Sequence, residues 1–156
     1  MSRVKKTAAV GALAVAVVGG AEGLRQSAYP DPATRGHPWT ICYGHTGPEV
    51  TPGMRKSLEE CKDLLLADLD KHAEPLERCM PAIKDAPPGR YVAFLSISVN
   101  IGTAGVCRSS IARDFNAGRI REACNDLLKF NRAAGFVMPG LTRRRQKERE
   151  LCLQGL

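Results

Sequence analysis

Between Thr7 and Ala21 the chain reads TAAVGALAVAVVGGA, fifteen residues without a charge, and the next residue is the acidic Glu22. This junction constrains the fold more than any other stretch. The run must find an apolar environment, while a carboxyl at its end must stay solvated or paired. As a helix the run spans about 22 Å, short of the roughly 30 Å hydrocarbon core of a bilayer. Gly11, Gly19, Gly20 and six alanines make it only weakly hydrophobic. Arg3, Lys5 and Lys6 precede it, the charge layout of an exported N-terminus whose basic end stays in the cytoplasm. A cleaved signal peptide, a permanent anchor and a span that inserts transiently and then leaves the bilayer all start this way.

The remainder is long enough for one domain with its own core, and needs no cofactor or metal for stability. A net charge of +7 points to an anionic partner: nucleic acid, anionic lipid or a cell-wall polymer. Six cysteines, Cys42, Cys61, Cys79, Cys107, Cys124 and Cys152, contain no CxxC pair, which argues against a zinc site. An even count behind an apolar N-terminus fits export and disulfides, with 15 connectivities open. Joining each cysteine to its next neighbour gives Cys42–Cys61, Cys79–Cys107 and Cys124–Cys152. Buried free thiols are the alternative.

Tyr29 to Thr46 holds three prolines and two glycines among β-favouring residues, so turns and a short hairpin are expected, with Trp39 to Tyr43 as its best strand. Ser57 and Glu60 form a capping box for an amphipathic helix carrying Leu58, Cys61, Leu64, Leu65 and Leu69, which should run to about His72 and link two lobes. Pro88 opens an apolar helix stopped at Asn100-Ile101-Gly102. Shorter helices are expected at Ser109–Asn116, Ile120–Phe130 and Leu141–Leu153. The chain is thus α+β but mainly helical, with a β-hairpin lobe and a larger helical lobe.

Two carboxyl groups in unlike surroundings are what glycoside hydrolysis needs, one neutral as general acid and one ionised. Glu22 follows an apolar segment that favours the neutral form, and Asp31 sits in a polar turn between Pro30 and Pro32. A helix-end Glu and a turn Asp of no catalytic importance would look the same. EGLR, the turn Asp and WTICYGHTG resemble the phage lysozymes of glycoside hydrolase family 24. The likeness extends through the Cys61 helix, Asn100-Ile101-Gly102, the EAC triplet at Glu122 and GLTRRRQKERELCL, and so covers nearly all of residues 22–156.

The resemblance implies a two-lobed lysozyme-like fold, with Glu22 as the acid, Asp31 as its partner carboxylate and Thr40 as the hydroxyl that helps place the attacking water. Eight residues separate Asp31 from Thr40, more than the family's usual gap, which would land on His37; Thr34 and His37 are the rivals for the third role. It also implies an arginine pairing with Glu22, taken to be Arg143. His45 is either part of the active-site wall or a structural histidine, whereas His37 and His72 are expected to be exposed. Asn100, Ser109 and Ser110 are saccharide contacts or helix caps. Arg143, Arg144, Arg145, Lys147 and Arg149 are broken up by Glu148 and Glu150, so this stretch reads as a solvated helix rather than a nucleic-acid stripe.

Within the family, the short glycine-rich run resembles that of signal-arrest-release (SAR) endolysins. Cleavage after Ala21 would leave Glu22 at a frayed terminus, unsuited to a rigidly held acid, which favours the transient span. The expectation is an N-terminal segment of residues 1–21 followed by a muramidase domain of residues 22–156. Such an enzyme is exported to the bacterial periplasm and tethered to the inner membrane until its span is released. It then cleaves peptidoglycan between N-acetylmuramic acid and N-acetylglucosamine by the inverting route for host-cell lysis. No cofactor, metal or nucleic acid is implied, and a monomer is the simplest state. A lytic transglycosylase would need Glu22 but little from Asp31, and a cationic membrane-disrupting protein would need neither.

Overall fold

A computed structural model describes residues 1–32 and 35–156. A single helical turn, α1 (Arg3–Lys6), is followed by α2 (Ala8–Glu22). Helix α2 places Val10, Ala14 and Val18 in one row at four-residue spacing, all fully buried, and leaves Ala8, Ala12, Ala16 and Gly20 on the outer face. The first 22 residues therefore share one hydrophobic core with the helices that follow. Among the described residues, no helix is long and apolar enough to cross a membrane.

Strands β1 (Arg25–Tyr29), β2 (Thr40–Cys42) and β3 (His45–Thr46) form an antiparallel sheet in the order β1-β2-β3. β2 and β3 fall in the segment expected to form a hairpin. β1 was not anticipated, because RQSAY has no clear alternation. It pairs with β2 at Arg25–Cys42 and Tyr29–Thr40, across a register shift. Ile41, Cys42, Val50 and Cys61 make a small core beneath the sheet.

Helix α3 (Leu58–Cys79) starts with both halves of the capping box, Glu60 N–H to Ser57 Oγ at 3.1 Å and Ser57 N–H to Glu60 Oε1 at 3.4 Å. It continues past His72 and through Pro75 to Cys79, seven residues beyond its expected end. Pro75 forfeits a backbone hydrogen bond, but Ala73, Leu76 and Met80 prolong the buried stripe and hold the last turns in place. α3 touches both the sheet and the helical lobe, as a linking helix should.

After a 3₁₀ turn at Pro81–Asp85 comes α4 (Pro88–Ile101), whose residues Gly89 to Ser98 are all buried. It lies against α2, α3 and α8 (Pro139–Leu153). Gly89 permits the approach to α8, since a Cβ there would stand 2.9 Å from the Leu151 carbonyl oxygen. Three short helices, α5 (Thr103–Cys107), α6 (Ser110–Asn116) and α7 (Ile120–Asp126), complete this lobe. A hairpin, β4 (Arg132–Ala133) and β5 (Phe136–Val137), turns on Ala134 and Gly135, both at positive φ. Neither α5 nor this hairpin was anticipated, both being too short to show a period.

The disulfides are Cys42–Cys61, Cys79–Cys107 and Cys124–Cys152, the next-neighbour pairing. The first ties the sheet to α3, the second α3 to α5, and the third α7 to α8. Removing Cys124–Cys152 with a pair of alanines opens a loop with a sequence separation of 28. This should lower the free energy of unfolding by roughly 3–4 kcal/mol, read as a fall in the urea midpoint.

Candidate active site at the junction of the two lobes

Glu22 is the last residue of α2, and Gly23, at φ 79°, turns the chain into β1. One turn back, Gly19 lies against Tyr43 of the β2–β3 turn, where a Cβ would come within 3.1 Å of the ring. This close approach brings Glu22 to the sheet, with Oε2 3.8 Å from where a Cβ on Gly44 would project. The carboxyl opens into a cleft of about 430 Å³ between the lobes, shared with Tyr43, His45, Asp68, His72 and Asn100.

Arg144, not Arg143, pairs with Glu22, its Nη1 3.3 Å from Oε1. On α8 the inward face is marked by Glu148, which is 2 % exposed. Arg144 and Arg145 precede it by four and three residues and share its side of the helix, whereas Arg143 is turned outward. Arg144 Nε lies 3.4 Å from Glu148 Oε1, and Arg145 Nε 2.7 Å from Oε2, an ion pair by distance without aligned hydrogen-bond geometry. Arg145 Nη2 donates to Glu148 Oε1 at 2.9 Å, and the Ser96 hydroxyl donates to the same oxygen at 2.6 Å. Burial pushes the Glu148 carboxyl up, opposed by Arg145, the Ser96 hydroxyl and Arg144. Arg145 also donates to Asn100 Oδ1 at 2.9 Å. One buried network thus leaves the cleft at Glu22 and returns to it at Asn100.

This corrects the expectation that the charged stretch from Arg143 to Glu150 is a solvated face, since Arg145 and Glu148 are buried. The Arg-Glu spacings of three and four were visible in the sequence. What they lacked was a sign that this face is buried, because the helix has little apolar periodicity.

His45 bridges two carboxylates, with Nδ1 2.7 Å from Asp68 Oδ2 and Nε2 2.6 Å from Glu49 Oε1. It joins the sheet to α3, in addition to lining the cleft. Burial alone would push the ring down, but Glu49 and Asp68 outweigh it and raise its pKa. His72, expected to be exposed, is half-buried beside the cleft with Nδ1 3.3 Å from Thr103 Oγ1, and burial pushes it down. His37 is exposed, as expected.

Asp31 and Thr40 do not line this cleft. Both lie at the far end of β1 and β2, Thr40 paired with Tyr29 and Asp31 two residues beyond it. Gly36 N–H donates to the Asp31 carbonyl at 2.9 Å. Asp31 is half-buried. Thr40 is 1 % exposed, and its hydroxyl has no hydrogen-bond partner among the described residues. Thr34 lies outside the described residues. Ser109 is a helix cap, its hydroxyl accepting from Ile111 N–H at 3.1 Å and donating to the Val106 carbonyl at 2.7 Å. Ser110 accepts from Lys129 at 3.3 Å. Neither serine reaches the cleft. Among the described residues no cluster of His, Cys, Asp or Glu is placed to hold a metal.

A small antiparallel sheet set against a helical lobe, with a carboxylate on the helix that ends at their junction, defines a lysozyme-like protein. The model of the phage lysozyme family matches residues 19–148, and the chain belongs to that family. A SAR-endolysin of Bacteriophage PS119 is 37 % identical over 137 residues, covering 87 % of this chain and 78 % of that protein. The active form of the P1 phage endolysin Lyz superposes with a TM-score of 0.72 at 33 % identity, over 91 % of this chain and 83 % of the other. The muramidase domain of SpmX from Asticaccaulis excentricus gives a TM-score of 0.76 at 31 % identity, over 90 % and 95 %. The chain is a glycoside hydrolase of the lysozyme type.

The His45 bridge carries a signed pH dependence. A raised folded-state pKa means that its stabilisation is full below the ordinary value of 6.5 and is lost as pH rises through the raised value. The loss of stability in His45→Gln, measured by urea denaturation at a series of pH values, should be largest near pH 5–6 and shrink steadily above it.

Proposed function

We propose that the chain is an endolysin that hydrolyses the β-1,4 bond between N-acetylmuramic acid and N-acetylglucosamine in peptidoglycan, and so lyses the host cell. The observation that carries this reading is the placement of Glu22 in the cleft between the lobes with Arg144 at 3.3 Å. In this mechanism Glu22 gives its proton to the glycosidic oxygen as the bond to the anomeric carbon breaks. In this reading the saccharide extends from the cleft along the sheet to the Asp31–Thr40 end, where a water placed by Thr40 and relieved of its proton by Asp31 attacks that carbon from the opposite face, so that the configuration inverts. The buried Thr40 hydroxyl, unpartnered among the described residues, supports its assignment to the third role. Arg144, held by Glu148, fixes the Glu22 carboxyl. The +7 charge suits an anionic wall.

Glu22→Gln should reduce release of reducing ends from purified peptidoglycan by roughly 10²–10⁴-fold with folding unchanged. Wall-clearing activity that survives this substitution would rule out Glu22 as the acid and with it the muramidase mechanism.

In the same reading the protein is exported with residues 7–21 across the inner membrane, basic end inward, and becomes active as a periplasmic monomer when the span leaves the bilayer. The acid ends α2, and that helix packs through Val10, Ala14 and Val18 onto the helical lobe. With α2 in lipid, Glu22 is at the bilayer surface and apart from Tyr43, His45 and Asn100, with which it lines the cleft in the packed state. A chain fused at its N-terminus to a permanent membrane anchor should therefore be inactive on peptidoglycan until a protease cuts the anchor away. Full activity of the tethered chain would contradict release as the activating step.

A further inference from the structure

The residues ahead of the apolar helix are docked, although a basic export segment has no evident need of a partner. Ser2 and Val4 are both 1 % exposed. The Ser2 N–H donates to Asp70 Oδ1 at 2.7 Å, and the Ser2 hydroxyl donates to the same oxygen. The Arg3 N–H donates to Glu77 Oε1 at 2.7 Å, which also accepts from the Tyr91 hydroxyl at 2.9 Å. The Arg3 guanidinium donates to the carbonyl oxygens of Ala86 and Ile83, with Cζ 5.4 Å from the Tyr91 ring centroid. Asp70 and Glu77 are two turns apart on α3 and so share a face. Gly11 lets α1 fold back onto α2, because a Cβ there would stand 2.9 Å from the Val4 carbonyl oxygen.

We propose that Asp70 and Glu77 of α3, Tyr91 of α4 and the carbonyls of Ile83 and Ala86 form a binding site for the chain's own Ser2–Val4 segment, and that its occupation holds α2 off the membrane. The second half rests on the membrane-release reading above. Lipid and protein interior are alike to Val10, Ala14 and Val18, so burial of that row discriminates weakly between the inserted and the packed helix. The contacts of Ser2 and Arg3 discriminate strongly. With the basic end in the cytoplasm and α3 across the bilayer, none of them forms; with α2 packed on the lobe, all do. A contact made in one state alone shifts the equilibrium by its whole strength. Lys5 and Lys6 stay exposed, and Lys5 adds only its positive charge near Asp70.

The test uses the full-length chain with Asp70→Ala and Glu77→Ala together, and separately with Ser2→Pro. The proline removes both donors to Asp70 without touching α3, and keeps the test open if the double variant does not fold. In the soluble protein, trypsin should cleave at Arg3, Lys5 and Lys6 about tenfold or more faster in either variant than in the wild type, with cleavage elsewhere unchanged. Unchanged cleavage at these sites would overturn the binding site. In exporting cells, the fraction sedimenting with membranes should stay higher for longer in both variants. Faster cleavage with an unaltered membrane fraction would leave the docking contacts standing and overturn their role in release. A wild-type chain that never sediments with membranes would overturn the release reading, and that role with it, independently of the trypsin result.

Discussion

Glu148 is a carboxylate in a nearly dry environment, and such a group is tolerated only when cations and donors surround it. Arg144, Arg145 and the Ser96 hydroxyl do so, which ties α8 to the buried α4. The arrangement couples stability to the site, since each guanidinium also reaches outward, Arg144 to Glu22 and Arg145 to Asn100. A packed apolar substitute for this network could stabilise α8 equally well, but it would leave the cleft without fixed partners for its carboxyl.

Helix α2 meets a second constraint. Its buried row is narrow, its outer face is mostly alanine and glycine, and two of its three glycines sit where other atoms come close, Gly11 under the Val4 carbonyl and Gly19 under the Tyr43 ring. Small residues keep the exposed apolar area low when the helix lies on the protein. They also make the run a weak membrane segment. The same composition thus suits both environments of the proposed life cycle, and polar groups at the two ends, Ser2 and Arg3 before it and Glu22 after it, are what differ between them.

Long elements were legible because periodicity and caps reinforce one another. The capping box of α3 and the Pro88 start and Gly102 stop of α4 appear where the residues placed them. The far end of α3 was not legible, because packing of Leu76 and Met80 carries the helix through Pro75 against its local propensity. β1 and β4–β5 have too few residues to carry a period. In the site, Glu22 stood out as the first carboxyl after an apolar run, whereas Arg144, Glu148 and the His45–Asp68 contact join residues far apart in sequence.

What the sequence by itself determined is a set of parts: the capped start of α3, the start and stop of α4, six cysteines available to pair, the lysozyme-like class and the carboxyl at Glu22. Each of these follows from short-range physics or from a contiguous motif. Only the tertiary structure decided which arginine meets Glu22, which face of α8 is inside, and that Ser2 and Arg3 are docked on α3. Those outcomes depend on the rotation and approach of packed helices, where one residue's step around an α-helix, about 100°, separates a buried ion pair from a solvated charge.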